Sequence, residues 1–387
     1  MRYLRAAYEL RQLYEYNNQM YITGAYVVSK YSGSSYRDFV EERILRPLRM
    51  GSSTLYPNRA FEDGKFTQSW TQSRRRIPFF MPEHTAELIA GAGGVMSNVE
   101  DMMNWVKMLL NSGVDPETNK TIIPRTTFDL ATSAISIAAN TGSALNSIMG
   151  YGLGWGRLSY RGHEMVQHNG GAPGVATIVD LYPLDGFGLV LLANTAGPLV
   201  TRKIARAIAD RMFGLPTEAS RIGPNMSPHA HPRVPGNPTP PDMFVGFTGT
   251  YSNLGYGNFT LCSPLFPTSA DCLAIIQDFR RVDSATARHT DPLDLYSAWP
   301  RFWGSHLRLS QVSGHEYVLK LSTLYVDGYG VDRTPFEDVS SETISATFMV
   351  EDGAVVGLGF FVAGQESWRA KKGGSVREIA DVWFDKL

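Results

Sequence analysis

The sequence is poor in cysteine, with only Cys262 and Cys272 among 387 residues. Two cysteines exclude a disulfide-built scaffold, and their spacing gives no paired metal-ligand motif. They either close one local loop in an oxidising compartment or both stay reduced. No run of about 18 apolar residues occurs, so no membrane-spanning helix is expected. Neither sign of charge dominates: 36 Lys+Arg oppose 37 Asp+Glu, and a formal net charge of -1 gives no global field to draw the chain to nucleic acid or to an anionic membrane. The sharpest basic feature, Arg74-Arg75-Arg76, is shorter than the run a polyanion-binding patch needs and reads as a solvated loop. The opening stretch MRYLRAAYELRQLYEYNN has no apolar core of leader length and no small-residue cleavage site. Sequons at Asn119, Asn225 and Asn258 are weak evidence for secretion, so the compartment stays open, with the cytoplasm favoured.

What is present is an average globular composition, 43% hydrophobic and 19% charged, which excludes disordered, collagen-like and coiled-coil chains. The length exceeds what one core usually organises, so two domains are expected. The boundary is compositional. Pro216, Pro224, Pro228, Pro232, Pro235, Pro238, Pro240 and Pro241 mark residues 214–241 as a semi-rigid linker between a domain at 1–213 and another at 242–387.

Helical spacing dominates the first part. Met20, Gly24, Val27, Val28 and Tyr31 share one face over 19–31, with Gly33 as a left-handed stop; Tyr36, Phe39, Val40, Ile44 and Leu48 repeat the pattern over 36–48. Ser97 and Glu100 are spaced as a capping box before the stripe of Val99, Met102, Met103, Val106, Leu109 and Leu110. From Tyr151 the short segments YGLGWGRL, HEMVQ, ATIVDLY and FGLVLLAN read as strands, and a helix follows from about Thr201 to Met212. A helical block ahead of an antiparallel meander is an α+β arrangement. After the linker the sequence predicts strands throughout, with hairpins at Asp352-Gly353 and around Ser313-Gly314, suited to a small antiparallel barrel or sandwich.

Three local patterns could carry chemistry. Tyr16-Asn17-Asn18 precedes a helix and could offer a phenol as proton carrier and a carboxamide as anchor; equally it is a packing aromatic followed by an Asn N-cap. His168-Asn169-Gly170-Gly171 joins a histidine to glycines whose backbone a ligand can approach, or is a Gly-rich turn with a surface histidine. Ala90-Gly91-Ala92-Gly93-Gly94 lacks the Lys-Ser/Thr of a phosphate loop, which excludes nucleotide binding there. There is no G-x-S-x-G elbow, and His163-Glu164 with His168 is one residue too long for a zinc-protease motif, so neither a metal nor another cofactor is expected.

In this order and at these distances the segments resemble the serine β-lactamase-related family of class C β-lactamases, penicillin-binding D,D-peptidases (peptidase S12 type), D-aminopeptidases, esterases and acyltransferases. YNNQMYITGAYVVSKYSG resembles the family's Tyr-x-Asn segment, AGAGGVMSNVEDMMNWVKMLLNSG a following helix, and QHNGGAPGVATIVDLYP its third motif, here His-x-Gly rather than Lys-Thr-Gly. The resemblance covers residues 1 to about 213. FVGFTGTYSNLGYGNFTL is similar, more weakly, to the opening strands of the lipocalin-like barrel that some members carry.

The resemblance implies a partial β-lactamase/transpeptidase-like domain that acts on a small-molecule or peptide amide or ester through an acyl-enzyme, without metal or cofactor. Tyr16 would shuttle the proton, Asn18 and His168 would orient the substrate, and Gly170 and Gly171 would line the oxyanion site, with the Gly171 N–H as donor. The family's nucleophile is the Ser of Ser-x-x-Lys, yet no lysine here has a serine three residues before it. The expectation is a chain lacking its nucleophile segment and inactive as written. Without the motif's lysine Tyr16 would be a poor base, and loss of the family's N-terminal strands would expose a sheet edge.

Overall fold

The computed structural model describes residues 2–195, 197–217, 246–267, 269–286, 291–340, 342, 344–362 and 368–387. The chain forms two compact units, Leu13–Asn225 and Met1–Gln12 with Met226–Leu387. Of the proline-rich stretch 214–241, only 214–217 lie within the described residues.

Helix α1 spans Asn18–Ser32. Asn17 caps it, its side chain accepting the Gln19 N–H at 2.8 Å, and Gly33 ends it in the left-handed region at φ 72°. The stretch expected as one helix over 36–48 divides. α2 covers Tyr36–Val40, then the backbone widens over Glu41–Leu45, where the Arg46 N–H reaches the Glu41 carbonyl at 2.9 Å. Short α3, Pro57–Glu62, and a two-stranded hairpin, β1 Ser69–Trp70 with β2 Arg76–Ile77, lead to α4, Glu83–Gly93. A Cβ on Gly91 would lie 2.5 Å from the Tyr21 carbonyl oxygen, so only glycine lets α4 lie this close to α1.

α5 runs from Val99 to Leu110. The Ser97–Glu100 capping box does not form. Ser97 Oγ is committed to Ser53 Oγ at 2.7 Å, and Asn98 caps instead by accepting the Asp101 N–H at 2.9 Å. After α6, Arg125–Thr132, the described residues contain a six-stranded antiparallel sheet in sequence order: β3 Ser136–Ala139, β4 Met149–Tyr151, β5 Gly156–Tyr160, β6 His163–Ala172, β7 Val175–Tyr182 and β8 Phe187–Ala193. The two-residue alternation sorts its faces. Val166, Leu181, Val179 and Val190 pack with Val106 and Leu109 of α5, while Met165, Ile178, Tyr182 and Leu189 meet Ala205 and Ala209 of α7, Pro198–Met212. Along its outer edge β8 has no partner strand among the described residues, and α7 leaves Leu199, Val200, Ile204, Ile208 and Met212 exposed.

The second unit is a nearly closed antiparallel barrel. Its strands are β9 Gly249–Asn253, β10 Gly257–Leu261, β11 Leu295–Arg301, β12 Gly304–Ser313, β13 Glu316–Tyr325, β14 Phe336–Val339, β15 Ile344–Glu351, β16 Ala354–Val362 and β17 Val382–Lys386. They pair in the order β10-β9-β17-β16-β15-β13-β12-β11, with β14 added to β13, and a bridge from Cys262 to Tyr296 joins the two ends. Both expected hairpins form. Asp352 and Gly353 turn at φ 49° and 79°, and Gly314 turns at φ 49°. Phe247, Tyr251, Phe259, Tyr317, Phe348 and Phe384 are among the side chains that fill the core.

The expectation of strands throughout this part is corrected by a helix at Ala270–Ala285, capped by Ser269. Its buried positions Cys272, Ile276, Phe279 and Val282 recur every three or four residues, the period that decides the conformation. Cys272 bonds to Cys262 with Cα atoms 5.3 Å apart, so the two cysteines close one local loop. The N-terminal residues also belong to this unit. Arg5 Nη1 donates to the carbonyls of Arg377 at 2.7 Å and Ala380 at 3.1 Å, and Arg369 Nη1 donates to the Ala6 carbonyl.

Candidate active site

The first unit brings Tyr16 and His168, far apart in sequence, to ring centroids 6.0 Å from each other. Tyr16 is 41% exposed and sits just before α1; its ring also meets Tyr21 at 5.5 Å and Tyr151 at 6.3 Å. Asn18 is the first residue of α1 and is half-buried, while the capping role falls to Asn17. Tyr21 follows on the same helix, pinned from behind by the close approach of Gly91.

His168 is half-buried in β6. Its partner across the ladder is Val179, which packs on the α5 face, so strand alternation places the imidazole on that face. Gly170 and Gly171 face Thr177 and Ala176 of β7. On the other side β5 stops pairing at Gln167, which leaves residues 168–172 of β6 without a ladder partner on that edge among the described residues. A Cβ on Gly171 would meet nothing within 4 Å, so the backbone at this edge is open to an approaching ligand.

Three further residues complete the cluster and were not singled out by their sequence pattern. The Tyr151 hydroxyl lies 3.0 Å from His168 Nε2 and 2.8 Å from the Tyr21 hydroxyl, and Tyr14 packs on the Tyr151 ring at 4.9 Å. Tyr151 lies in YGLGWGRL, where its aromatic character argued only for a strand; Tyr21 falls on α1 three residues after Asn18. Burial, and secondarily the phenol of Tyr21, pushes the Tyr16 hydroxyl above the usual tyrosine range. Burial and then the hydrogen bond with Tyr21 push Tyr151 far higher, and burial, partly offset by Tyr151, raises Tyr14 to about 12. His168 moves the other way. Burial lowers its pKa against a smaller opposing hydrogen bond to the Asn169 backbone, so the imidazole is neutral near pH 7.

A cluster of neutral phenols around a neutral imidazole, beside an unpaired strand edge, can donate and relay protons and can bind an extended acyl or amide group. Tyr16 in its raised state holds its proton. Among the described residues there is no group of three or more His, Cys, Asp or Glu that could hold a metal ion.

A family model described as Beta-lactamase matches residues 1–211. The chain belongs to the beta-lactamase family. Its relatives include the "Unguisins hydrolase ungD'" of Aspergillus campestris, 27% identical over 282 residues, covering 67% of this chain and 51% of that protein. The "D-alanyl-D-alanine-carboxypeptidase/endopeptidase AmpH" of Escherichia coli is 26% identical over 219 residues, covering 55% of this chain and 52% of that one. Among solved structures, that of the octameric penicillin-binding protein homologue from Pyrococcus abyssi aligns with a TM-score of 0.45 at 16% identity, over 92% of this chain and 64% of its own. This beta-lactamase-family chain spans about half the length of the curated relatives it matches. No described helix is long and apolar enough to cross a membrane.

Proposed function

We propose that the cleft around Tyr16 and His168 is the proton-transfer and substrate-binding half of an acyl-transfer site for an amide or ester. Tyr16 is the proton carrier, Asn18 and His168 orient the acyl group, and the backbone at Gly170 and Gly171 lines the oxyanion side. The observation that carries this reading is the 6.0 Å approach of the Tyr16 and His168 rings beside the unpaired edge of β6. Relatives named as a hydrolase and as a carboxypeptidase/endopeptidase favour a peptide or other amide as the substrate class.

The nucleophile is the part these 387 residues do not offer in Ser-x-x-Lys form. A Tyr16 whose proton is held tightly, with no cation among the causes of its shift, also lacks what would make it a base at neutral pH. We therefore read the chain by itself as binding acyl compounds without forming an acyl-enzyme, and the same absence supports a second reading, a non-catalytic binding protein. Esterase and acyltransferase chemistry differ from peptidase chemistry in what attacks and what leaves, and the lipocalin-like character of the barrel bears on neither.

The test uses the 387-residue chain with a chromogenic ester, a chromogenic β-lactam and a serine-directed phosphonate. The expected result is no acyl-enzyme burst and no labelling, together with saturable ester binding that His168→Ala weakens at least several-fold. Stoichiometric labelling of any serine overturns the reading of the nucleophile. Ester binding that is unchanged in both His168→Ala and Tyr16→Ala overturns the site.

A further inference from the structure

The Asn-x-Ser/Thr tripeptides at Asn119 and Asn258 have no part in the cleft, and such tripeptides alone are common by chance. Their surroundings distinguish these two. Asn119 sits in the turn between α5 and α6, where its N–H reaches the Asp115 carbonyl and the Asp115 N–H reaches the Lys120 carbonyl, each at 2.9 Å. Asn119, Lys120 and Thr121 are all exposed. Asn258 lies on β10. Its neighbours Phe259 and Leu261 belong to the barrel core, and alternation along the strand turns Phe259 inward and Asn258 outward, where it is exposed. Among the described residues neither side-chain amide is engaged. Other asparagines hold the fold together: Asn17 and Asn98 cap helices, Asn104 donates to the Leu48 carbonyl and Asn253 to the Trp383 carbonyl. The third tripeptide, at Asn225, lies outside the described residues.

The cysteines supply an independent observation. Cys262 and Cys272, the two in the sequence, are bonded to each other, and Cys262 follows directly on β10, the strand that carries Asn258. Such a bond forms and persists in an oxidising compartment and is rare where thiols are kept reduced. The oxidising lumen in which secreted chains fold is also where asparagine-linked oligosaccharides are added.

We propose that this chain is a glycoprotein of an oxidising compartment, carrying asparagine-linked oligosaccharide on Asn119 of the first unit and Asn258 of the barrel. In the transfer the side-chain amide nitrogen loses a proton and bonds to the anomeric carbon of a lipid-diphosphate-linked oligosaccharide. The bond from that carbon to the diphosphate oxygen breaks, and the lipid diphosphate leaves with the electron pair. The hydroxyls of Thr121 and Thr260 complete the two acceptor tripeptides. Because the group is bulky and polar, the folded chain must leave it room at the surface. Both sites do so, one on a turn and the other on the outward side of a strand.

The experiment is peptide mapping of the full chain isolated from the cells that make it, alkylated before any reduction and then treated with a peptide N-glycosidase, which leaves aspartate at each occupied asparagine. The expected result is aspartate at both positions only after the enzyme, with Cys262 and Cys272 refractory to alkylation until a reductant is added. Two variants read the sites separately by gel mobility. Asn119 holds a left-handed φ of 57°, which suits asparagine better than glutamine, so the variant there is Thr121→Ala, which removes an exposed hydroxyl. Thr260 Oγ1 is bonded to Thr250 Oγ1 at 3.1 Å, so at the other site the variant is Asn258→Gln. Each is expected to lose the mobility shift of one glycan and to keep the circular dichroism of the wild type. Unmodified asparagine at both positions overturns the proposal, as do cysteines that alkylate without reductant, and unmodified asparagine at one position overturns that site. The mapping needs no variant to fold and involves neither ester binding nor serine labelling, so its outcome is separate from that of the proposed function.

Discussion

Arg308 and Asp283 form a two-pronged ion pair with side-chain exposures of only 0% and 1%. Arg308 Nη1 donates to Oδ2 at 3.1 Å and Nη2 to Oδ1 at 2.7 Å, while Nη2 also reaches Glu337 Oε2 at 3.1 Å. The guanidinium lies 4.8 Å from the Phe279 ring centroid and so ties β12 to the helix Ala270–Ala285.

Removing one partner of such a pair strands the other's charge out of water. Arg308→Met is expected to destabilise the barrel unit by about 3–5 kcal/mol, whereas Arg308→Met with Asp283→Leu should recover part of that, because one of the two carboxylates stranded by the loss of Arg308 goes with it while Glu337 keeps its bond from Ser322 Oγ. Chemical denaturation of the three proteins measures this. A double variant no more stable than Arg308→Met would contradict the account.

Gly170 and Gly171 differ in what a methyl group would meet. At Gly170 it would lie 2.3 Å from Thr177 Oγ1, so Gly170→Ala must displace a β-branched neighbour inside a ladder and is expected to cost about 1–3 kcal/mol. At Gly171 the space is open, so Gly171→Ala should leave stability within about 0.5 kcal/mol while obstructing the ligand edge. Paired thermal melts and ester-binding titrations separate the two effects, and equal losses of stability would refute the distinction.

Acid sensitivity follows from two histidines. Burial lowers the pKa of His168, and burial lowers that of His306 against smaller opposing effects of Asp278 and Glu337. Each binds a proton more weakly folded than unfolded. Their contribution to stability is therefore complete above the ordinary histidine value of ~6.5 and is lost as pH falls below it towards the lowered folded value. His168→Gln should flatten the fall in stability between about pH 7 and 5. An unchanged slope in denaturation midpoints across that range would show that His168 does not contribute.

The helical stripes, the meander from Tyr151 and both late hairpins were legible because their periodicity of 3.6 or 2 is carried by local residues. Tyr16, His168, Gly170 and Gly171 were picked out through motif order rather than through any local physical signal, and the structure adds the approach of the Tyr16 and His168 rings. Tyr21 and Tyr151 were not picked out. A tyrosine on an amphipathic helix and another in a β-rich segment announce packing, and their hydroxyl contact arises only when α1 meets β4 and β6. The Ser97 capping box failed because Ser53, distant in sequence, claimed the hydroxyl. The helix Ala270–Ala285 had a readable period, but it sits among strands and was absorbed into their pattern.

The disulfide closes a short loop between the end of β10 and the first turn of that helix. Cys272→Ser is expected to lower stability by about 2–3 kcal/mol, the loop-closure contribution for a span of this order. The same loss should appear when the wild type melts in reductant. A melt insensitive to reductant would mean that the two thiols are not joined in solution.

The pinning of Arg5 on Arg377 and Ala380 makes cutting the chain and separating it two different events. A protease that cleaves once within 218–245 divides the polypeptide, yet the upstream fragment still carries residues 2–12, which are held by hydrogen bonds to the fragment downstream. On a denaturing gel there are two bands; in native solution there is one particle. The barrel keeps its hold on the N-terminal residues after the covalent thread is gone, through Arg5 and through Arg369 on the Ala6 carbonyl, so Arg5→Ala is expected to loosen that hold and Arg5→Ala with Arg369→Ala to loosen it further.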